Sequence, residues 1–442
     1  MVFILIGFTQ CAQEVEQKEV VAFPGAEGYG RHTPGGRGGD VYIVTNLKDS
    51  GEGSLRYGIE NADGPRTIVF EVSGTILLKD HLIISKPFLT IAGQTAPGDG
   101  IAIRDYGLKI KDTHDVIMRY VRIRLGDQNK PSPAGFDAIE TNDVSNIIFD
   151  HISASWGIDG THDLRGEKFT LQWSIYGEAL HNSLHEKGPH AMLGSMRDLT
   201  DNITLHHNLM HSSRHRHPSL GGGSKTDGNS IVDFRNNVLF NWSGPTNLGE
   251  CNMNLINNYY KPGEDTNPEE KPMAVKAHIG EKSKGFSSGN VFSWNEEWTA
   301  DNFSAIEYVL GWGSYDSTTR EAFVLPAEVV DGDDKPQTHS AEEAFDLVLK
   351  QAGASLHRDA ADARVVAGVI AGTGRLIDSQ EEVGGWPELK SLPAPTDKDR
   401  DGMPDAWEKA NKLDPSNPED RNGDKDKDGY TNLEEYLASI VE

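Results

Sequence analysis

The fold is decided by residues 202–292, where one pattern recurs in NITLHHNLMH (202–211), IVDFRNNVLF (231–240), MNLINNYY (253–260) and GFSSGNVF (285–292). Each run has strand length, and each carries an asparagine just before two apolar or aromatic residues, namely Asn208, Asn237, Asn258 and Asn290. Such repetition is typical of stacked coils that contact only their neighbours. We therefore predict an asparagine ladder, in which each side-chain amide bonds the coils on either side.

Similar runs occur upstream of this stretch, in LTIAG (89–93), VIMRYVRIR (116–124), NIIFDHISAS (146–155) and FTLQWSIYG (169–177). Most of them are not separated by an amphipathic helix of crossover length. Short strands at this spacing predict an all-β protein of the parallel β-helix class. The spacing alone leaves an antiparallel sandwich open as the alternative.

The charge of the chain excludes several classes of partner. Lysine and arginine number 42 against 68 aspartate and glutamate residues, which gives a net charge of −26. A surface this acidic repels nucleic acid and anionic lipid, so we expect no nucleic-acid partner. It would repel an acidic polysaccharide as well, unless bound cations reverse the field locally. We expect a monomer.

The first residues resemble an export signal. MVFILIGFTQC (1–11) is apolar but too short to span a bilayer. We interpret residues 1–21 as a leader and polar linker, with Cys11 as a candidate site for a lipid anchor. The expected location is therefore secreted, cell-surface or periplasmic. With Cys251 as the only other cysteine, no disulfide framework can be read from the sequence.

The sequence changes character after the strand repeats. AEEAFDLVLKQAGA (341–354) has helical periodicity, with Phe345, Val348 and Leu349 on one face. We expect residues 22–394 to form the β-helix with an extension at its carboxyl end. Residues 395–442 form a separate, highly charged unit.

This last unit contains two loops of EF-hand type. The loop positions that bind calcium are occupied by Asp397, Asp399, Asp401, Asp405 and Glu408 in the first loop, and by Asp424, Asp426, Asp428, Asn432 and Glu435 in the second. A glycine follows the third aspartate of each loop, where calcium loops make a sharp turn. The loops resemble those of thrombospondin type 3-like and dockerin-like modules, which implies structural calcium.

Three central segments carry candidate chemistry. Asp137, Asp159 and Asp163 recur at coil spacing, so their carboxylates can converge and bind a cation. LHEKGPHAMLG (184–194) follows with a lysine and two histidines. The third segment, HSSRHRHP (211–218), is strongly basic for a protein of this charge. A histidine metal site there, built on His215 and His217, is the competing interpretation.

Several motifs resemble polysaccharide lyase family 1, the pectate lyases, and in particular its bacterial branch. They run from AFPGAEGYG (22–30) through LTIAGQTAPGDGI, RYVRIRLGD, FDHISASW and HEKGPHAMLG to VGGWPEL (383–389). The resemblance implies a right-handed parallel β-helix that cleaves polygalacturonate by β-elimination with Ca²⁺ as cofactor.

Carried over onto matching positions, the resemblance assigns roles to individual residues. Asp137, Asp159 and Asp163 would bind the catalytic calcium, Lys187 would contact the substrate carboxylate, and Arg216 of the R-x-P element would be the base. His190 and His217 would bind substrate. Such positive charge is needed where the carbanion develops beside the substrate carboxylate.

The chain departs from the family pattern at two places. Family members often carry arginines after R-x-P, whereas Ser219 follows here, so we expect Arg214 to bind substrate instead. Gly160 stands where many relatives have glutamate, and Glu178 is a candidate for the missing ligand. A glycoside hydrolase with paired carboxylates, a non-catalytic carbohydrate-binding β-helix and a lyase for another uronate polymer remain the alternatives.

Overall fold

All strand pairings among the described residues are parallel, which excludes the antiparallel sandwich that the spacing left open. The structure is a computed structural model, and it describes residues 20–128, 136–275, 282–308, 319–329 and 332–441. Successive strands pair with strands one coil away, as the register of Val238 with Leu209 and of Tyr259 with Val238 illustrates. The predicted parallel β-helix is therefore confirmed.

The strands, in chain order, are β1 (Asp40–Val44), β2 (Arg66–Phe70), β3 (Gly74–Leu77), β4 (Leu82–Ile84), β5 (Leu89–Ala92), β6 (Ile101–Arg104), β7 (Leu108–Arg119), β8 (Val121–Arg124), β9 (Ile139–Asp150), β10 (Ser153–Ser155), β11 (Gly160–Leu164), β12 (Gly166–Gln172), β13 (Ile175–Gly177), β14 (Met192–Met196), β15 (Ile203–His206), β16 (Leu209–Ser213), β17 (Ser219–Leu220), β18 (Ile231–Arg235), β19 (Val238–Trp242), β20 (Thr246–Leu248), β21 (Asn252–Ile256), β22 (Tyr259–Lys261), β23 (Met273–Val275), β24 (Lys284–Ser288), β25 (Val291–Phe292) and β26 (Ile306–Tyr308). The α-helices are α1 (Leu55–Glu60), α2 (Glu296–Ala300), α3 (Arg320–Phe323), α4 (Ala341–Gln351), α5 (Ala360–Ala371), α6 (Asp405–Ala410) and α7 (Asn432–Ser439).

The strands form three faces around one core. The first face contains β1, β2, β5, β12, β15, β18, β21 and β24, the second contains β3, β6, β8, β10, β13, β16, β19, β22 and β25, and the third contains β4, β11, β14, β17, β20, β23 and β26. The long strands β7 and β9 take part in both the first and the third face, because their two halves pair with different strands. The third face carries the candidate site.

The predicted asparagine ladder is present and buried. The ladder begins at Asn208, whose Oδ1 accepts from the backbone N–H of Ser174. Each later side-chain oxygen accepts hydrogen bonds from the preceding asparagine, as between Asn208 Nδ2 and Asn237 Oδ1 (3.0 Å) and between Asn237 Nδ2 and Asn258 Oδ1 (3.1 Å). It continues through Asn290 to Asn302, which the repeat pattern did not include. Because an unpaired buried amide is costly, this ladder fixes the register of neighbouring coils.

The carboxyl-terminal extension (residues 332–394) covers the second face. Helix α4 begins with a capping box at Ser340 and ends just before Gly353, as the periodicity predicted. Its Val348 and Leu349 pack with residues of α5 against Leu209 and Val238 of the β-helix.

Buried ion pairs fix the start of α5 on this face. Arg124 donates to Asp362 at 2.6 Å and to Asp359 at 3.1 Å, and both carboxylates are buried. Arg122 and Arg124 of the RYVRIRLGD motif therefore bind the extension, whereas Arg119 of the same motif pairs with Asp150 of β9.

Residues 395–441, the C-terminal module, pack on the outside of the first coils. Met403, Leu433 and Leu437 form one buried cluster with Ile43 and Val69 of β1 and β2. An ion pair between Arg37 Nε and Glu434 Oε1 (2.7 Å) also joins the module to the β-helix. The module is thus joined to the β-helix by an apolar contact of its own.

Candidate active site

The three predicted aspartates lie on adjacent coils of the third face. Asp163 of β11 stands in register between Glu140 of β9 and Ser195 of β14. Asp159 precedes β11, and its backbone is held on both sides, because its N–H donates to Phe136 and its carbonyl accepts from Met192. The backbone therefore places these three aspartates, called the aspartate row below, on two neighbouring coils of the third face.

The carboxylates act on one another electrostatically. The pKa of Asp137 is raised well above its ordinary value, first by burial and then by the negative charges of Asp159, Asp163 and Glu140. Arg216 acts in the opposite direction on the same group. Mutual repulsion of this kind favours the binding of a cation. Asp137, Asp159 and Asp163 are thus close enough to interact electrostatically, but among the described residues of this site the group whose ligand atoms lie within 4.8 Å of one another is Asp159 with His185 and His190. Joint binding of calcium by the three aspartates stays a prediction.

Asp163 already has two cationic neighbours. Arg197 donates to it through Nε (3.1 Å to Oδ1) and through Nη2 (2.6 Å to Oδ2), and Arg165 Nη2 lies 3.0 Å from Oδ2. The sequence analysis did not identify Arg197. It could have been found from the register, because Ser195 pairs with Asp163 and the side chain two residues farther along lies on the same side.

Asp159 faces the loop that contains Lys187. Its Oδ1 lies 3.9 Å from His185 Nε2 and 3.8 Å from His190 Nε2, and the two imidazole rings stack with centroids 3.5 Å apart. Lys187 is exposed in this loop, and its backbone N–H donates to His185 Nδ1 at 3.2 Å. His190 therefore lies beside Asp159, and Lys187 belongs to the same loop.

Arg216 approaches the same row from two coils beyond Asp163, across the coil of β14. Its backbone is in the left-handed region at φ 53°, which is uncommon for a residue with a side chain. Nη1 donates to Ser195 Oγ at 3.1 Å, and Ser195 is the register neighbour of Asp163. Arg214 is close by, with Nη1 2.6 Å from the carbonyl of Pro189 in the loop of Lys187. The two basic segments are thus joined directly.

The predicted role of His217 in substrate binding is wrong, because this side chain is only 1% exposed. Its Nδ1 lies 2.5 Å from Ser213 Oγ, and its ring packs beside Trp242. Burial lowers its pKa to about 3, so the ring is neutral. Because the His217 ring is buried in the core, the alternative interpretation of a metal site formed by His215 and His217 is excluded.

Glu178 is not a ligand of the aspartate cluster. It follows β13 on the second face, and its two oxygens bond Arg364 at 2.8 and 2.6 Å. Trp156 Nε1 donates to it as well, at 2.9 Å. Arg364 belongs to α5. The Glu178 carboxylate therefore binds the extension to the β-helix.

The glycine that replaces the family's glutamate also has a structural reason. A Cβ atom on Gly160 would lie 2.7 Å from Asp137 Oδ1, closer than a side chain can approach. The position is therefore occupied by the carboxylate of Asp137 itself.

The acidic loops of the C-terminal module form separate groups. Asp397, Asp399 and Asp401 lie within reach of a common ion, and so do the exposed Asp424, Asp426 and Asp428. A further group joins Asp401 and Glu408 to Asp420, which the loop pattern did not include.

Three of the predicted calcium ligands, Asp405, Asn432 and Glu435, do not belong to these carboxylate groups. The oxygens of Asp405 accept from the backbone of Lys398 and from Lys409 Nζ, and the amide of Asn432 donates to the carbonyl of Asp420 at 2.7 Å. Glu435 lies on α7, outside the carboxylate groups found among the described residues.

Comparison with known proteins agrees with this fold. The chain is 36% identical over 432 residues to Probable pectate lyase C of Aspergillus flavus, which covers 96% of this chain and 94% of that protein. It is 35% identical over 428 residues to the protein of the same name from Emericella nidulans, with 96% and 93% covered. The chain therefore belongs to the pectate lyase family. These relatives are fungal and give no support to the bacterial branch suggested by the motifs.

Solved structures share the fold at low sequence identity. The major cedar-pollen allergen Jun a 1 superposes with a TM-score of 0.50 at 19% identity, covering 74% of this chain and 92% of that one. The thermostable pectate lyase PL 47 gives a TM-score of 0.50 at 15% identity, covering 76% and 98%. No family model matches the chain.

Proposed function

We propose that this protein cleaves polygalacturonate by calcium-dependent β-elimination at the third face of the β-helix. The observation that carries the proposal is that Asp163 of β11 lies in register with Ser195 of β14, whose hydroxyl oxygen accepts from Arg216 Nη1 at 3.1 Å. Membership of the pectate lyase family supports the same reaction, and so does the resemblance of the R-x-P and H-E-K elements.

Asp137, Asp159 and Asp163 would hold the calcium ion. Their oxygens are the ligands that calcium prefers, and the raised pKa of Asp137 reports negative charge that a cation would neutralise. When bound, calcium would withdraw electron density from the substrate carboxylate and make the neighbouring C5–H more acidic.

The basic side chains would carry out the proton transfer. Arg216 would take the proton from C5, the electron pair of that bond would form the C4=C5 double bond, and the O4 leaving group would depart and be protonated from solvent. Lys187 would balance the negative charge that develops on the substrate carboxylate.

Arg214 and His190 would bind the sugar chain beside the scissile bond. Arg214 is already fixed to the loop of Lys187 and can present its remaining donors to a carboxylate. The acidic polysaccharide would thus be bound by basic side chains that lie close together on an otherwise acidic surface.

The location would be extracellular, with structural calcium in the C-terminal module. None of the helices in the described residues is long and apolar enough to cross a bilayer. Cys11, the candidate lipid anchor, lies outside the described residues, whereas Cys251 is a buried free thiol.

Ultraviolet absorbance of the unsaturated product tests the reaction. Wild-type protein with polygalacturonate and calcium should generate this absorbance, and Arg216→Ala should lose it by at least about a thousandfold while keeping its fold. Arg214→Ala is the matched control, because it removes a neighbouring guanidinium and should mainly raise KM. New reducing ends without absorbance would mean hydrolysis, and a fully active Arg216→Ala would refute the assignment of the base.

A further inference from the structure

The C-terminal module contains a group of buried carboxylate oxygens without hydrogen-bond partners. Among the described residues, the unpartnered atoms in this group are both oxygens of Asp399, Oδ2 of Asp401, both oxygens of Glu408 and Oδ1 of Asp420. Glu408 is 0% exposed and Asp401 is 1% exposed. Buried carboxylates without donors are strongly unfavourable unless a cation binds them.

Neighbouring negative charges make this cost larger. The pKa of Glu408 is raised to about 8, first by burial and then by Asp401, Asp399 and Asp420. The pKa of Asp401 is raised to about 7, with burial again the largest cause. The leading electrostatic neighbours of Glu408 are all acidic, so protein cations do not neutralise it.

The oxygen atoms suit a hard divalent cation. Asp397, Asp399 and Asp401 have carboxylate oxygens within 4.8 Å of one another, and Asp401, Glu408 and Asp420 form a second such group that shares Asp401. Calcium takes six to eight oxygen ligands in a flexible shell. The donor set contains neither sulfur nor imidazole, which disfavours the softer transition metals.

Asp420 is held in place by residues outside the first loop. Its Oδ2 accepts from the backbone of Asp414 at 3.0 Å, and its carbonyl accepts from Asn432 Nδ2 at 2.7 Å. Its other oxygen is therefore left for the carboxylate group. Asp405, which the loop pattern assigns as a ligand, is engaged by Lys398 and Lys409 instead.

The site is connected to the contact with the β-helix. Met403 N–H donates to Asp401 Oδ1 at 2.8 Å, and the Met403 side chain is fully buried with Ile43 and Val69. A Cβ on Gly402 would touch Val41 and Leu433, so the loop lies directly against the first coil. Ordering the loop therefore orders the surface that packs on β1.

We propose that one calcium ion binds between Asp399, Asp401 and Glu408 of the first loop and Asp420 of the following segment, and that it clamps the C-terminal module onto the first coils. The clamp replaces the position-9 ligand of the loop pattern, Asp405, with a residue from outside the loop. It is independent of the proposed lyase reaction, because it lies on another part of the molecule.

The binding experiment compares full-length Glu408→Gln and Asp420→Asn with the control Asp405→Asn. Calcium stoichiometry is measured by competition with a chromophoric chelator, and Tm is measured with calcium and with excess chelator. Glu408→Gln and Asp420→Asn should weaken one site at least tenfold and lose most of the calcium-dependent rise in Tm. Their Tm in chelator should equal or exceed that of wild type, because each removes a repelling charge.

The control decides between the two ligand sets. Asp405→Asn should keep both the site and the rise in Tm. Loss of the site in Asp405→Asn together with its retention in Asp420→Asn would overturn the proposal, as would a wild-type Tm that does not respond to calcium.

Hydrogen exchange tests the clamp itself. Chelator should speed amide exchange in β1 and β2 of wild type, and Asp420→Asn in calcium should show the same faster exchange. If the change were confined to residues 395–441, the ion would order the loop without clamping the module, and the proposed coupling would be wrong.

Discussion

Arg197 donates two hydrogen bonds to the carboxylate of Asp163, from Nη2 to Oδ2 at 2.6 Å and from Nε to Oδ1 at 3.1 Å. The carboxylate assigned to the catalytic calcium is thus held by a guanidinium, and a cation that binds there has to compete with it. The apparent calcium affinity of the site depends on the strength of this pair.

Replacing Arg197 with glutamine should therefore tighten calcium binding at the active site. We expect the calcium concentration for half-maximal activity to fall by about threefold to tenfold, which corresponds to about 1 kcal/mol. Arg165→Gln, which removes one contact of 3.0 Å, is the control and should have a smaller effect. A higher calcium requirement in Arg197→Gln would mean that the arginine orients Asp163 instead.

The two histidines assigned to substrate binding should now behave differently. His217→Ala removes a buried ring and its contact with Ser213, so the free energy of unfolding should fall by about 2 kcal/mol with KM unchanged. His190→Ala should raise KM and leave unfolding unchanged. Denaturant titration and steady-state kinetics on both variants measure this, and a raised KM in a stable His217→Ala would contradict it.

The asparagine ladder should contribute strongly to stability. Asn258 Oδ1 accepts from the backbone and side chain of Asn237, and its Nδ2 donates to Phe234 and Asn290. Asn258→Ala should lower the free energy of unfolding by about 3 kcal/mol, because it leaves buried partners unpaired. Exposed Asn229→Ala is the comparison in urea unfolding. Equal midpoints for the two variants would show that the ladder adds nothing.

Acid should destabilise the fold through buried histidines. Burial lowers the pKa of His206 to about 3 from 6.5, and burial followed by the charge of His206 lowers the pKa of His207. The unfolded chain thus binds more protons, so this stability is complete above pH 6.5 and decreases as the pH falls towards 3. Each such histidine gives a slope of about 1.4 kcal/mol per pH unit in that window.

Substitution of His207 should reduce this slope. His207→Asn is compatible with the backbone, since Asn236 and Asn257 have similar positive φ values on the following coils. The free energy of unfolding, measured between pH 4.5 and 6.5, should decrease less steeply than in wild type. The exposed His114→Asn should keep the wild-type slope, and an unchanged slope in His207→Asn would exclude the mechanism.

Features that follow from spacing were predictable. The ladder of Asn208, Asn237, Asn258 and Asn290 and the convergence of Asp137 with Asp159 result from stacking of coils, which the repeat reveals. Which side chains face inward was harder to predict. Arg216 and His217 are adjacent in one motif, yet Arg216 faces the aspartate row and His217 the core. They lie between β16 and β17, where the positive φ of Arg216 turns the backbone, so the alternation of a strand does not apply.

Contacts between distant segments could not be predicted. Glu178 pairs with Arg364 of the extension, and Asp420 joins a loop that ends at Glu408. Neither pairing has a repeat or a fixed spacing, so only the packing of the extension and the module determines it.

The contact of Met403, Leu433 and Leu437 with Ile43 and Val69 has a consequence for synthesis. A ribosome makes the first coil several hundred residues before the helix that covers it. The outer surface of β1 and β2 therefore stays bare until residues 403–437 have been made. The earliest coil is thus covered only after the coils that follow it in sequence, so a chain truncated before residue 403 would expose an apolar patch on its first coil.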